Sequence, residues 1–377
     1  MPIVTSPDQF HMEDLYVDLG AVLPQQLFLK CEGMNFAGSI KLKAAVEMMD
    51  AAEREGRLTE DSIVVESSSG NLGIALAMIA ASRGYRFLCV TDIRCTTSAR
   101  QLMESFGCQV HTVDTPHPES GYLGARLDRI RELCASDSRY VWLNQYTNNN
   151  NWVTHYRRTA PALAGAFPGL DVLFVGAGTT GTLMGCARYF RWKRPEVTVV
   201  AVDSVGSVSF GGPADRRMIP GLGAGVRPPL LNEYLVDDVV LVPEAETVRT
   251  CHHLASHGYL FGGSTGTVVR GAVRWLAEHP QDRPRTAVAI SPDLGERYLD
   301  SVYDPGWVRE HYGPDALTPS PRDSFPADGR TGSTTGSTTA SATGSPTGSR
   351  SGAPADAPDG SPAGSRTGSF AVSAAAE

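Results

Sequence analysis

The stretch from Ser62 to Gly84, "SIVVESSSGNLGIALAMIAASRG", contains a strand, a polar loop and a helix in immediate succession. Its first part, "SIVVES", is short, apolar and β-branched, which is typical of a strand buried on both faces. Its last part, "LGIALAMIAASRG", is apolar on nearly every side and stops at Gly84, which indicates a buried helix. The stretch therefore predicts one strand-helix unit of a parallel α/β sheet.

The same alternation continues along most of the chain. Further apolar runs predict strands at 86–92, "QVHTVD", "YVWLNQ", 171–176, 197–203, "VVLV" and 286–291. Helices are predicted near 97–107, near 120–134, over "GTLMGCARYFRW", near 245–257 and near 265–278. So many strands exceed what one small sheet with a single core accommodates, so we expect two doubly wound α/β domains. An active site would then lie in the cleft between them, at the carboxyl ends of the strands.

Composition excludes several classes of protein. The chain has 377 residues and a formal net charge of -8, which argues against nucleic acid as a main partner. No apolar run approaches the roughly 20 residues of a membrane helix, and no basic-then-apolar signal pattern opens the chain. Seven scattered cysteines without a Cys-x-x-Cys motif suit reduced thiols and no metal site. We therefore expect a cytoplasmic protein without a metal.

From about residue 313 the composition changes to Gly, Ser, Thr, Ala and Pro. Such a segment has too little apolar surface to offset the entropy lost on ordering. Residues 313–377 are therefore predicted to be a disordered tail.

Lysine is rare in this chain, and one lysine follows a Gly-Ser pair. The sequence "GSIKLK" (38–43) holds two of only four lysines. Arginine does not give up its proton inside a protein, but a lysine amine can, and it is then a nucleophile. Lys41 is therefore predicted to be a reactive amine.

The loop "VGAGTTGTLMG" (175–185) joins a predicted strand to a predicted helix. Its glycines let the backbone approach an anion, and the N–H groups of the helix start can hold it. Three threonine hydroxyls add donors, so a phosphate site is predicted. The loop also fits Gly-x-Gly-x-x-Gly, and Asp203 ends the next strand, so a dinucleotide-dependent dehydrogenase is an alternative. A tight turn that only packs the helix on the sheet is another.

Two more polar loops precede helices. "ESSSGNLG" (66–73) offers side chains and N–H groups that can hold a carboxylate, although plain N-capping would need only one of them. "FGGSTG" (261–266) places Ser264 at a helix start, where an ordinary cap is the alternative. A reactive amine with these three loops calls for a small cofactor with a carbonyl, a ring and one phosphate. Pyridoxal 5'-phosphate has all three features.

These loops resemble the cysteine synthase and cystathionine β-synthase family of fold-type II pyridoxal-phosphate enzymes, which are tryptophan synthase β-like in fold. "GSIK" (38–41) is similar to the family's Gly-Ser-x-Lys, and "SSGN" (68–71) to its Thr-Ser-Gly-Asn. "GTTGT" (178–182) is similar to the Gly-Thr-Gly-Gly-Thr phosphate loop, and "NQYTNNNNWVTHY" (144–156) to a Gln-Phe-x-Asn-Pro-Ala-Asn stretch. The resemblance covers roughly residues 10–300.

The resemblance implies a role for each matching residue. Lys41 would be the catalytic Schiff-base lysine, Asn71 would bind the cofactor's ring hydroxyl, and Ser264 would face the pyridine nitrogen. The phosphate would be bound by Gly178, Thr179, Thr180, Gly181 and Thr182. The substrate would be bound by Ser68, Ser69, Gly70 and Gln145. The resemblance also implies a homodimer, a large phosphate-binding domain (1–38 and 152–312) and a smaller mobile domain (39–151).

Several positions depart from the family pattern. Lys-Asp-Arg is replaced by Lys41-Leu42-Lys43, Asn-Thr-Gly by Asn71-Leu72-Gly73, and a His-Lys-Ile-Gln-Gly-Ile-Gly segment by "DRRMIPGLGAG" (215–225). The overall pattern more closely resembles the subfamily that makes N-(2-amino-2-carboxyethyl)-L-glutamate, the precursor of 2,3-diaminopropionate in siderophore and antibiotic pathways. This implies β-replacement on an O-activated L-serine, O-phospho-L-serine foremost, with L-glutamate as nucleophile. A cysteine synthase that uses sulfide is the alternative.

A phosphate leaving group needs cations, and arginine's forked donors suit it. Arg100 is predicted to bind substrate from a helix start, and the other candidates are Arg94, Arg216 and Arg217. The alternative for each is an ordinary solvated surface arginine.

Overall fold

The computed structural model of the protein describes residues 3–10 and 12–318. Ten strands lie in that part of the chain: β1 (Tyr16–Asp18), β2 (Phe28–Cys31), β3 (Ile63–Ser67), β4 (Arg86–Asp92), β5 (Gln109–Val113), β6 (Tyr140–Trp142), β7 (Val172–Gly176), β8 (Thr198–Ser204), β9 (Asp238–Val242) and β10 (Ala287–Ser291). They form a six-stranded sheet in the order β1-β2-β10-β7-β8-β9 and a four-stranded sheet in the order β5-β4-β3-β6. Only the pairing of β1 with β2 is antiparallel among these strands.

Helices connect the strands. The α-helices of the same part of the chain are α1 (Lys41–Arg54), α2 (Asn71–Arg83), α3 (Thr97–Ser105), α4 (Gly121–Ser136), α5 (Asn150–Thr154), α6 (Ala160–Ala166), α7 (Gly181–Lys193), α8 (Glu244–Ser256), α9 (Gly263–Glu278) and α10 (Pro305–Tyr312). One π-helical turn, His155–Thr159, lies between α5 and α6. No helix of residues 3–10 and 12–318 has the length and apolarity needed to cross a membrane.

Helices cover both faces of the large sheet, because alternate residues of its central strands enter different cores. Val172 and Phe174 of β7 pack in a core with Val269 and other side chains of α9. Their neighbours Leu173 and Val175 pack on the opposite face with α6 and α7. The central strands can be apolar at successive positions because neither face meets water.

The smaller sheet has the same layered construction. Val64 of β3 packs with α1, α2 and α3, while Val65 packs with Ile130 of α4 on the other face. The prediction of two doubly wound α/β domains is therefore confirmed. All four strands of this sheet fall within 39–151, and those of the large sheet fall outside it. The domain limits themselves and the mobility of the smaller domain stay predictions.

Two strands, β1 and β2, were not predicted from the sequence. β1 has only three residues, and β2 contains the charged Lys30, which hides its apolar character. The structure shows that Lys30 is fully buried and lies 3.4 Å from a carboxylate oxygen of Glu32. The predicted tail begins with a described 3-10 turn, Pro314–Leu317, whose Ala316 is buried. The rest of the predicted disordered segment lies outside the described residues.

Candidate functional site

The predicted reactive amine lies where α1 begins. The backbone N–H of Ile40 donates to the carbonyl of Pro292 over 2.7 Å, and Ser39 forms an isolated bridge with Asp293. These contacts hold the start of α1 against the segment that follows β10. Burial lowers the pKa of Lys41 because it removes water from the ammonium group, while the negative charge of Asp293 opposes this shift. The environment therefore favours the neutral, nucleophilic form of the amine.

A buried carboxylate, Asp293, connects two of the predicted residues. Its Oδ2 accepts hydrogen bonds from Asn71 Nδ2 at 2.9 Å and from the Tyr298 hydroxyl at 2.5 Å. Its Oδ1 has no hydrogen-bond partner among the residues that the structure describes. Burial raises the pKa of Asp293, although the hydrogen bonds from Tyr298 and Asn71 act in the other direction. The structure thus brings Asn71 and Lys41 together around an acid that the sequence analysis did not identify.

Ser264 lies in the same cluster, at the start of α9, with only 2% of its surface exposed. Its hydroxyl interacts with Tyr298, the residue that donates to Asp293. Gly221, with φ of 106°, packs directly against it, since a Cβ at that position would lie 2.1 Å from Ser264 Oγ. A side chain at 221 would displace the hydroxyl.

The predicted phosphate loop joins β7 to α7. Gly178 lies against the segment that carries Gly221, because a Cβ at 178 would come within 2.7 Å of the Gly221 carbonyl. Thr180 has a left-handed backbone with φ of 66°, and its buried hydroxyl has no hydrogen-bond partner within the described part of the chain. The first N–H groups of α7 have no partner within their helix, as at every helix start. Open donors and close backbone approach suit a phosphate group.

The loop after β3 is connected to the phosphate loop by hydrogen bonds. Gln145 Nε2 donates to the Ser67 carbonyl at 2.7 Å. Asn151 Nδ2 lies 2.7 Å from the carbonyl of Gln145 and 3.2 Å from Thr179 Oγ1, so its amide links the two loops. Ser68 Oγ accepts the N–H of Gly73 at 2.9 Å and so satisfies one donor of the first turn of α2. Gly70 itself occupies the N-cap position of α2, and Ser68, Ser69 and Gly70 all stay predicted substrate contacts.

The predicted arginines are not gathered in one place. Arg100 is exposed on α3, Arg94 and Arg216 are also exposed, and Arg217 donates to the Leu222 carbonyl. The buried arginine of this region is instead Arg126 of α4, which is 6% exposed and lies 3.3 Å from Asp92. No local sequence pattern marks an arginine in the middle of a helix. Substrate binding by Arg100 stays a prediction.

The dinucleotide alternative needs Asp203 to meet a ribose. The structure buries Asp203 completely, and its carboxylate accepts the backbone N–H of Ser204 at 2.8 Å. Burial raises the pKa of this acid. The site that the loops do form fits pyridoxal phosphate: Lys41 would bind the aldehyde, the 178–182 loop the phosphate, and Asn71 and Ser264 the ring.

Asp293 and Tyr298 are two buried side chains of this cluster that were not predicted from the sequence. Both follow the last predicted strand, at the edge where active sites of such sheets lie. The segment "SPDLGERY" after that strand was the available signal.

The family described as pyridoxal-phosphate dependent enzyme matches residues 16–293. A relative named N-(2-amino-2-carboxyethyl)-L-glutamate synthase, from Ralstonia nicotianae, is 39% identical over 285 residues, which are 75% of this chain and 84% of the relative. A protein of the same name from Cupriavidus metallidurans is 38% identical over 286 residues, again 75% and 84% of the two chains.

Two solved structures are similar to this chain over about the same share of its length. A crystal structure of O-ureido-L-serine synthase has a TM-score of 0.74 and 32% identity, and the match covers 80% of this chain and 96% of the other. The O-acetylserine dependent cystathionine beta-synthase of Helicobacter pylori has a TM-score of 0.73 and 25% identity, with 80% and 99% coverage.

Proposed function

The chain belongs to the pyridoxal-phosphate-dependent enzyme family, and from this premise we propose that it joins O-phospho-L-serine to L-glutamate. It is a β-substituting transferase, and the proposed products are N-(2-amino-2-carboxyethyl)-L-glutamate and phosphate. In this reaction the C–O bond at the serine β-carbon breaks, and a bond forms from that carbon to the α-nitrogen of glutamate. The proton lost by the glutamate amine leaves with phosphate or solvent.

The observation that carries the choice of glutamate is the shared name of two relatives at 38% and 39% identity, each covered over 84% of its length. The departures from the cysteine synthase pattern support it, because Leu72 removes a hydroxyl from the substrate loop. A related fold also serves an O-acetylserine dependent enzyme. Phosphate and acetate are therefore compared directly as leaving groups.

When bound, pyridoxal phosphate withdraws electrons from the α-carbon of the amino acid and so lets its proton leave. Lys41 Nζ is the base that takes this proton and later returns it, since its lowered pKa favours the neutral amine. Ser68, Ser69 and Gly70 orient the substrate carboxylate with donors at the start of α2.

The remaining predicted residues complete the proposed site. Gln145 and Arg100 bind the polar groups of the substrates, and Asn71 and Ser264 hold the ring. The buried Asp293 keeps both Asn71 and Tyr298 in place by accepting from them. We also propose that the enzyme is a cytoplasmic homodimer and acts in 2,3-diaminopropionate synthesis for a siderophore or an antibiotic.

The test is a matrix of donors and acceptors, read by mass spectrometry. Purified enzyme is incubated with O-phospho-L-serine or O-acetyl-L-serine, each with L-glutamate or sulfide. We expect the glutamate adduct to form fastest from O-phospho-L-serine. Faster formation of cysteine than of the adduct would replace this proposal with a cysteine synthase.

The position of the reactive amine is tested separately by borohydride reduction and peptide mapping. Reduction should bleach the visible absorption of the enzyme and leave the pyridoxyl group on Lys41. The variant Lys193→Ala, which changes an exposed lysine, should be labelled like wild type. Lys41→Ala should carry no label and should lose at least about 10²-fold in adduct formation, the usual loss without a general base.

A further inference from the structure

A continuous line of side chains leads from the phosphate loop, where Thr182 is half-buried, to the buried Lys43. Thr182 Oγ1 lies 3.2 Å from His155 Nε2, and His155 Nδ1 lies 3.0 Å from Thr159 Oγ1. Thr159 Oγ1 in turn lies 3.4 Å from Lys43 Nζ. We call these four residues the hydrogen-bond chain. His155 and Thr159 bound the π-helical turn between α5 and α6, a feature frequent at functional sites.

The far end of the hydrogen-bond chain can only donate. Lys43 is 4% exposed, and its ammonium group lies 2.6 Å from Glu13 and 2.8 Å from Glu32. An ammonium group has three donors and no acceptor. The two carboxylates and the Thr159 hydroxyl therefore each receive one of its hydrogens.

This fixes the direction of the next two bonds. Thr159 Oγ1 accepts a hydrogen bond from Lys43. The hydroxyl proton of Thr159 is then donated to His155 Nδ1, which is the acceptor within reach among the described residues. Burial and the positive charges of Lys43, Lys41 and Arg158 hold the pKa of His155 well below its usual range, so the ring is neutral. A neutral ring that accepts at Nδ1 carries its proton on Nε2.

Nε2 then donates to Thr182 Oγ1, so the hydroxyl proton of Thr182 remains available. Within the described part of the chain, Thr182 Oγ1 has no hydrogen-bond partner besides His155. In the opposite tautomer, with the proton on Nδ1, Thr182 would donate its hydroxyl proton to His155 Nε2. Its oxygen would then offer only lone pairs to the loop. A phosphate anion needs donors, so the two directions differ in their effect on binding.

We propose that Lys43 is a positioning residue that acts through Thr159 and His155 to make Thr182 a donor toward the cofactor phosphate. The proposal rests on the phosphate site assigned to residues 178–182 above. Lys43 lies at the far end of the hydrogen-bond chain, so it would act through Thr159 and His155 and would not touch the cofactor itself. This role gives a reason for a buried lysine two residues after Lys41, beside two carboxylates.

The test measures the dissociation constant of pyridoxal phosphate from the full-length apoprotein, with the phosphorus NMR signal of the bound cofactor as a second readout. Thr182→Val should weaken binding about tenfold, the usual effect of losing one hydrogen bond to a charged group. Thr159→Val and Lys43→Met should each weaken it several-fold and shift the phosphorus signal. The double variant Thr159→Val/Thr182→Val should bind within about twofold of Thr182→Val, because both changes remove the same donor.

Two matched controls separate this effect from a loss of packing. Thr250→Val changes another fully buried helical threonine, whose hydroxyl donates to the Glu246 carbonyl. Lys30→Met removes the other buried lysine of the cluster, which contacts Glu32 and has no bond to Thr159. Both controls should bind the cofactor as wild type does. If Lys43→Met does not fold, Thr159→Val alone decides.

Wild-type affinity in Thr159→Val or in a folded Lys43→Met variant, alongside a weakened Thr182→Val, would overturn the proposal. The proposal would also be overturned if the double variant lost affinity by the product of the two single-variant factors. Unchanged binding by Thr182→Val would remove that hydroxyl from the phosphate site altogether. No amino-acid substrate is present in this test, so a wrong assignment of glutamate or phosphoserine would leave its result unaffected.

Discussion

Asn71 Nδ2 donates to Asp293 Oδ2 over 2.9 Å, across 222 positions of the sequence. The bond joins the start of α2, beside the smaller sheet, to the segment after β10 of the larger sheet. The same carboxylate raises the pKa of Lys41 against the effect of burial. Asp293 therefore both holds the side chain of Asn71 and acts on the pKa of Lys41.

The first prediction is that Asp293→Asn lowers the pKa of Lys41 further. An asparagine at 293 can place its carbonyl oxygen at the position of Oδ2, where it accepts from Asn71 and Tyr298. Its NH2 group then takes the position of Oδ1, which has no hydrogen-bond partner among the described residues. It removes the negative charge that favours the ammonium form. Because only the neutral amine attacks an aldehyde, the rate of cofactor incorporation into apoprotein should rise with pH at a lower midpoint than in wild type.

The matched control for this prediction is Asp300→Asn, which changes an exposed acid in the same segment. Its midpoint should equal that of wild type. A midpoint in Asp293→Asn that is equal to or higher than the wild-type value would contradict the role assigned to this carboxylate.

The second prediction concerns Thr180, which stands where the related loops carry glycine. A β-branched residue at φ of 66° is strained, typically by about 1 kcal/mol or more. Thr180→Gly should therefore raise the free energy of unfolding of the apoprotein, by about 0.5–1 kcal/mol in urea titrations. It should also weaken cofactor binding several-fold, because it removes a buried hydroxyl that the described residues leave unpaired. A variant that is less stable than wild type would show that the threonine is not strained.

The third prediction concerns the neutral hydroxyl at position 264. Ser264→Asp would place a carboxylate beside Tyr298 and the buried Asp293, against the backbone of Gly221. A carboxylate at the ring nitrogen would keep it protonated and favour other reactions over β-elimination. Adduct formation should fall by about 10²-fold or more, comparable to the loss of one electrostatic contact that stabilises a transition state. Ser264→Ala, which stays neutral, should retain far more activity, and full activity in Ser264→Asp would refute the argument.

The layered fold could be predicted because the parallel strands lie inside the protein. A strand such as β8, which has apolar neighbours on both faces, shows a continuous apolar run that needs no partner to be recognised. The three loops could be found for a related reason, since each follows a strand or opens a helix. The edge strand β1 and the charged β2 could not, because their stability comes from pairing and from the buried contacts of Lys30.

The contacts made by the polar side chains between the loops could not be predicted from the sequence. Asp293 and Arg126 are each buried by residues distant along the chain. The position of Asp293 after the last predicted strand was a local signal, but no local pattern marks Arg126 in the middle of α4. Arg100 was predicted because a helix start after a strand is a typical anion site; its side chain is exposed in the structure, and its substrate binding stays a prediction. The left-handed backbone of Thr180 could not be predicted either, because a threonine in the sequence does not indicate a positive φ.

The last prediction concerns Glu66, at the end of β3 and directly before the substrate loop. It is fully buried, and its carboxylate accepts the N–H of Ser67 at 2.8 Å and that of Gln145 at 3.1 Å. Burial outweighs these bonds and raises the pKa of Glu66 to about 7. The folded protein therefore holds this proton more tightly than the unfolded chain, whose glutamate titrates near 4.5.

An acid with a raised pKa in the folded state contributes most stability at low pH and loses it as pH rises. For Glu66 the loss falls between about pH 4.5 and pH 7, and it amounts to a few kcal/mol at most. Glu66→Gln cannot ionise, so in urea unfolding the wild type should lose stability relative to this variant from pH 5 to pH 8. Glu278→Gln, an exposed change at the end of α9, should follow wild type throughout. Parallel curves for wild type and Glu66→Gln would mean that the buried glutamate is already ionised at pH 5, and that the donors around it outweigh its burial.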